Sequence, residues 1–332
     1  MKAVFIRLDK IGDLVSTLPV DQMPWLQDRK IQIKWVVSKG LGWIAKAAEP
    51  TREYLELNPK DSKQSTEKLF HYLKDEAPDV VISFQAPWWV GYACWRAGVR
   101  WRVTRRSQWH SYLFFNRGLR QSRSLADKHE ADYNRELVEH AFEQPAGQTP
   151  VLKLNPVIRR HLFEKYDLKP EAYFIVHPGM AGSALNWPQA HYSVLVEKLI
   201  NAGTVVITGT QSDDPYLTEL RPQWQQHPNI RWLQNELSFE DLLSLIRTAR
   251  AVVAPSTGVL HLAAACGTRA VGIYSPVRVH QAKRWGPRGP KALALTPPVD
   301  CPASEKCWGP KCPHFLCMDQ IKVNEVLKGL GL

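Results

Sequence analysis

A chain of 332 residues exceeds what one hydrophobic core usually organises, so two domains are expected. A hydrophobic fraction of 44% and a charged fraction of 23% exclude a disordered chain, and no run of about 18 apolar residues predicts a membrane-spanning helix. Lys and Arg number 43 against 32 Asp and Glu, and the net charge of +11 either draws a polyanion (nucleic acid, anionic lipid, phosphorylated glycan) or serves solubility alone.

The first nine residues, MKAVFIRLD, turn charged too soon for a secretory leader. They read as a buried strand over Ala3–Leu8, and the chain is expected to stay in the cytoplasm. Asp13–Leu26, apolar at Leu14, Leu18 and Trp25, reads as a helix, and Ile31–Val37 and Asp79–Phe84 as further strands. Strand, helix, strand at this spacing predicts a parallel sheet with crossover helices. Arg96–Arg123 differs: eight arginines alternate with Trp95, Trp101, Trp109, Tyr112, Phe114 and Phe115. It reads as a strand and loops lining a surface.

Gln144–Pro150 (QPAGQTP) has linker composition. It divides an N-terminal domain at 1–150 from a C-terminal domain at 151–318. Residues 319–332 are expected to form a closing helix that packs back toward the N-terminal domain. Within the second half, a helix is expected from about Pro156, with the proline in its first turn. Tyr173–Val176, Thr204–Thr208, Arg250–Ala254 and Arg269–Tyr274 read as strands, and His191–Asn201, Val259–Cys266 and Ile321–Leu330 as helices. Ser238 opens a capping box with Asp241 at its third position, followed by Leu242, Leu243, Leu245 and Ile246 at helical spacing.

Three strand-to-helix turns carry residues fit for chemistry. Ser256-Thr257-Gly258 leads a buried strand into the His261-Leu262-Ala263 helix. Its first-turn amides would suit an anion, with Gly258 admitting a phosphate close to the backbone and His261 adding a donor. A plain turn with Ser256 or Thr257 as N-cap is the commoner reading of the same residues taken alone. His177-Pro178-Gly179, with Ser183, Asn186 and Trp187-Pro188 behind it, is a second phosphate-cradling candidate. Both turns fall at the carboxyl ends of expected parallel strands, the edge where open α/β sheets bind ligands. The third turn, Lys10-Ile11-Gly12-Asp13, sets an acid at the start of a helix. Asp13 there either complements the helix dipole or serves as a general base.

Together these turns resemble glycosyltransferase family 9, the bacterial lipopolysaccharide heptosyltransferases. The residues that carry the resemblance are Gly12-Asp13 with Thr17-Leu18-Pro19, His177-Pro178-Gly179 with Trp187-Pro188, and Ser256-Thr257-Gly258 with His261-Leu262-Ala263. The likeness implies a GT-B architecture, two Rossmann-like α/β domains whose parallel sheets face an interdomain cleft. It implies inverting, metal-independent transfer of heptose or a similar sugar from a nucleotide-diphosphate sugar (ADP-heptose or related) to a lipopolysaccharide core acceptor, with no cofactor required. Asp13 takes the place of the catalytic base. Gly179, Ser183, Asn186, Ser256, Thr257, Gly258 and His261 fall at the donor. The acceptor would be an anionic glycolipid met at the inner face of the cytoplasmic membrane. Lys10, Arg105, Arg106, Arg117, Arg120 and Arg123 are the candidates to hold it, since guanidinium forks fit phosphate and carboxylate. Two positions depart from the family pattern: Asn186 stands where a lysine is usual, and Ser256 where an acid is usual. Arg278, Lys283 or Arg284 would then supply the missing positive charge.

Cys301, Cys307, Cys312 and Cys317 cluster near the end of the chain. Their spacing lacks the paired C-x2-C of common zinc modules, so zinc, free thiols and a disulfide, which a reducing cytoplasm disfavours, all remain open. Competing readings are a nucleotide-sugar binder or epimerase of the same architecture, and a basic, zinc-containing nucleic-acid-binding protein. The second lacks any recognisable nucleic-acid motif, and no nucleic-acid partner is expected.

Overall fold

The computed structural model describes residues 1–332 except Ala181 and Ser183. The chain divides into two compact units, one of Met1–Arg123 with Lys128–Leu152, the other of Lys153–Leu332 with Ser124–Asp127. Each is built on a six-stranded sheet whose strand pairs are all parallel.

The first unit contains β1 (Lys2–Arg7), β2 (Gln32–Ser38), β3 (Tyr54–Leu57), β4 (Val80–Gln85), β5 (Trp101–Arg105) and β6 (Arg117–Leu119), in the order β3-β2-β1-β4-β5-β6. Helices cover both faces, so the central strands read as continuous apolar runs rather than alternating ones. Val4, Ile6 and Val81 pack under Leu69 and Leu73 of the helix Ser62–Glu76 and Trp89 of the helix Trp88–Arg96. On the opposite face Phe5, Trp35 and Phe84 form an aromatic cluster. Behind it, buried Asp21 accepts from Trp35 Nε1 at 2.8 Å and from Arg52 Nε and Nη2 at 2.9 and 2.8 Å.

The second unit contains β7 (Tyr173–Val176), β8 (Thr204–Gly209), β9 (Ile230–Gln234), β10 (Ala251–Pro255), β11 (Arg269–Ile273) and β12 (Ala292–Leu295), in the order β12-β11-β10-β7-β8-β9. Read from the other edge, this is the plan of the first unit repeated. In both, the strand order reverses beside the first strand: between β1 and β4, and between β7 and β10. Ligands of open α/β sheets bind at that point, outside the carboxyl ends.

The expected strands lie within one or two residues of their predicted bounds. The helix expected over Asp13–Leu26 is instead three short pieces, Ile11–Val15, a 3-10 turn Leu18–Gln22 and Pro24–Asp28. Pro19 and Pro24 each lack the amide a continuous helix needs. Likewise the helix expected from Pro156 begins only at His161 and ends at Lys165. The arginine-rich segment holds β5, a short helix Trp109–Leu113 and β6. The closing helix, Val323–Leu330, sinks Val326 and Leu330 into the core of the second unit, beside Phe174, Trp187 and Val271. No helix among the described residues is long and apolar enough to cross a membrane.

Candidate active site

At the end of β1 the register against β4 shifts between Ile6 and Arg7. A bulge of this kind re-aims side chains at the rim of a sheet. Arg7, 3% exposed, gathers three carboxylates. Its Nη2 donates to Asp13 Oδ1 at 2.6 Å, Nε lies 2.9 Å from Asp9 Oδ1, and Nη1 lies 3.7 Å from Glu130 Oε1. Burial opposes the Arg7 charge, but the three carboxylates outweigh it, and its pKa rises. Asp9 is pushed up to about 6 by burial; Arg7 pulls the other way, while Asp13 and Glu130 add to the rise. The Arg7–Asp9 pair is close yet poorly aligned, and neither Nε nor Oδ1 makes a hydrogen bond among the described residues.

Asp13 itself is fixed from several sides. Thr17 Oγ1 donates to its carbonyl at 2.7 Å, and Asn134 Nδ2 donates to Thr17 Oγ1 at 2.9 Å. Arg7 engages Oδ1, and among the described residues Oδ2 has no hydrogen bond, with the side chain 19% exposed. One carboxylate oxygen is thus an anchor and the other an open acceptor beside the strand reversal. The sequence reading missed Arg7, Glu130 and Asn134. The detectable signal was a charged residue closing an otherwise apolar buried strand.

The structure separates the acceptor candidates. Arg123 is buried, with its guanidinium on Glu130 and on Gln121 Oε1, so it stabilises the interior behind Asp13. Arg117 stacks 3.9 Å from the Trp101 ring centroid and pairs with Glu143 at 3.0 Å. Arg105 donates to Gln85 Oε1, and Arg106 lies over Tyr112 at 4.9 Å. Arg120 is exposed and makes no ion pair among the described residues. Lys10 is exposed at the start of the helix Ile11–Val15.

In the second unit, β7 and β10 are neighbours and each runs into a candidate turn. After β10, Thr257 takes an extended N-cap conformation before the helix Gly258–Ala265. Its hydroxyl does not cap the helix, and Oγ1 is buried with no hydrogen-bond partner among the described residues. A buried orphan hydroxyl calls for an explanation, and a ligand oxygen supplies one. His261 is buried one turn along. Tyr274 interacts through its hydroxyl with the Ser256 side chain and donates to the Trp285 carbonyl at 2.6 Å. That ties the segment carrying Arg278, Lys283 and Arg284 to the turn.

After β7, buried His177 meets Thr208 Oγ1 through Nδ1 at 2.9 Å, and burial lowers its pKa against the opposing pull of Asp213. Gly179 lies against Asp213: a Cβ there would stand 2.1 Å from Asp213 Cγ. Asn186 donates from Nδ2 to the Pro178 carbonyl at 2.6 Å and accepts from the Trp187 amide at 2.8 Å. Its side chain staples the turn together. Ser183, the remaining donor candidate, lies outside the described residues.

All four clustered cysteines are unbridged. Burial raises the Cys317 pKa, and Cys301, Cys307 and Cys312 add to it. Among the described residues, no group of three or more His, Cys, Asp or Glu side chains is arranged to hold a metal.

The model of glycosyltransferase family 9 (heptosyltransferase) matches residues 66–306. A protein of Haemophilus influenzae described as a putative glycosyltransferase is 26% identical over 90% of both chains. Lipopolysaccharide heptosyltransferase 2 of Salmonella typhimurium is 34% identical over 29% of this chain and 28% of its own. Among solved structures, the Escherichia coli ADP-heptose lps heptosyltransferase II superposes with a TM-score of 0.77 at 20% identity, covering 100% of this chain and 98% of that one. Escherichia coli heptosyltransferase WaaC with ADP gives 0.71 at 17% identity, over 100% and 99%. These last two establish a shared fold, GT-B, built from two parallel-sheet α/β units.

Proposed function

The chain belongs to glycosyltransferase family 9, and from that premise we propose that it transfers a heptose or closely related sugar from a nucleotide-diphosphate donor to a lipopolysaccharide core acceptor. The observation that carries the mechanism is the divided role of the Asp13 carboxylate. Arg7 fixes Oδ1, leaving Oδ2 to receive a proton at the carboxyl edge of β1. Oδ2 takes the proton of the acceptor hydroxyl as that oxygen bonds to the anomeric carbon. The bond from that carbon to the diphosphate breaks, and the electron pair leaves with the diphosphate. A single displacement of this kind inverts the anomeric configuration.

Charge developing on the diphosphate is received by the first-turn amides of the helix Gly258–Ala265 and by the Thr257 hydroxyl. No step calls on a metal, and transfer is expected to persist in EDTA. ADP-heptose is the donor to try first, because Escherichia coli heptosyltransferase WaaC, which superposes on this chain, is described with ADP and with ADP-2-deoxy-2-fluoro heptose. The reaction would take place in the cytoplasm at the inner face of the membrane, with the enzyme held there peripherally. No observation favours the epimerase or nucleic-acid readings.

The deciding experiment is Asp13→Asn, which keeps the Arg7 contact and removes the base. Its kcat should fall roughly 10²–10⁴-fold. Donor KM and melting temperature should stay near wild type. Turnover within about threefold of wild type would refute the assignment of the base.

A further inference from the structure

Between Val80 and Ala126 the chain has no Asp or Glu, yet it carries eight arginines. Within that acid-free stretch lies a continuous aromatic surface. The helix Trp88–Arg96 presents Trp88, 48% exposed, and Trp95, 54% exposed; Trp109 and Leu113 on the next helix are 65% and 64% exposed. Their base is a set of ring contacts. Tyr92 meets Trp88, Trp95 and Phe114 at 6.3, 6.1 and 5.8 Å, and Phe114 meets Trp109 at 6.4 Å. Large exposed apolar side chains in one contiguous patch mark an interaction surface.

Its rim is cationic. Arg100 is exposed and lies over Trp101 at 5.2 Å, and Arg106 lies over Tyr112 at 4.9 Å. Indole and phenol rings beside guanidinium groups favour the boundary between headgroups and acyl chains, where ring faces meet lipid and cations meet phosphate. The location adds to this. The two helices begin just past the carboxyl ends of β4 and β5, and β4 adjoins β1, which ends beside Asp13.

We propose that the surface formed by Trp88, Trp95, Trp109 and Leu113, with its arginine rim, docks this unit on an anionic phospholipid bilayer. This deepens the proposed function, since a lipid-borne acceptor in the same bilayer would then be presented at the edge that carries Asp13.

The test is co-sedimentation of the full chain with vesicles of phosphatidylcholine alone and with 30% phosphatidylglycerol. Wild type should bind the mixed vesicles and lose binding as salt rises. The double variant Trp95→Ser with Leu113→Ser should partition at least tenfold less while keeping its melting temperature and its transfer to a lipid-free acceptor fragment. Arg100→Glu should weaken binding to the anionic vesicles and leave binding to neutral ones unaltered. Wild type that stays in the supernatant, or a double variant that partitions like wild type, overturns the proposal. So does a double variant that loses transfer to the lipid-free fragment but still binds vesicles, which would make the patch a sugar platform. Asp13→Asn should bind vesicles normally, so loss of the transferase reading and loss of the docking reading give different results.

Discussion

Burial holds the Asp9 proton well beyond the usual carboxylate range. Its pKa lies at about 6 in the folded chain against an ordinary 3.8, and burial is the leading cause. The native state therefore holds this proton more tightly than the unfolded state. Stability linked to it is fully present below the unfolded pKa and is lost as pH rises through the folded one. The whole interval corresponds to about 3 kcal/mol. About 2 kcal/mol of that falls between pH 4.5 and pH 7.5. Asp9→Asn removes the titration but keeps the size of the side chain. Urea unfolding of both proteins across that range should show the variant gaining on wild type as pH rises, by about 2 kcal/mol in the difference. Carboxylates remote from Arg7 titrate alike in both proteins and cancel. Parallel stability curves would refute the argument, because they would mean that Arg7 compensates the buried charge in full.

Three further outcomes follow from single contacts. Asp21→Ala strands the buried Arg52 guanidinium and the Trp35 indole, and should cost about 3–5 kcal/mol in urea unfolding. Gly179→Ala drives a methyl into Asp213, which is itself held by the Thr210 amide and hydroxyl at 2.8 Å. It should lower the melting temperature, at about 1–3 kcal/mol, and weaken ADP binding in calorimetry. Thr257→Val removes a hydroxyl that has no hydrogen-bond partner among the described residues, so stability should stay within about 0.5 kcal/mol. The dissociation constant for ADP should rise about tenfold, the equivalent of ~1.4 kcal/mol. Unchanged binding would remove Thr257 from the donor site.

Strands were the most legible part of this sequence. Parallel strands covered on both faces read as unbroken runs such as Val4-Phe5-Ile6 and Thr204–Thr208, and few other arrangements need them. Helices were less legible where their buried stripe is partly polar. Ser62–Glu76 went unread because it buries Ser65 and Thr66 along with Leu69 and Leu73. Of the site, the turns could be placed, since each sits between a strand and a helix. What holds the turns could not. Arg7 finds Glu130 more than a hundred residues away, and Asn186 serves Pro178 through a turn that only the folded backbone defines. Nor does a run of arginines reveal which of them face inward: Arg123 is buried while Arg120 is exposed.

The repeated strand plan has a consequence for how such a protein can change. Asp13 follows the first strand of one half, and the donor candidates of the other follow its first, fourth and fifth strands, β7, β10 and β11. On the proposed assignment, the segments after β4 and β5 can be substituted to alter acceptor recognition while the proposed nucleotide turns after β7 and β10 stay unchanged. Under that proposal, donor and acceptor recognition are encoded by separate stretches of the same chain.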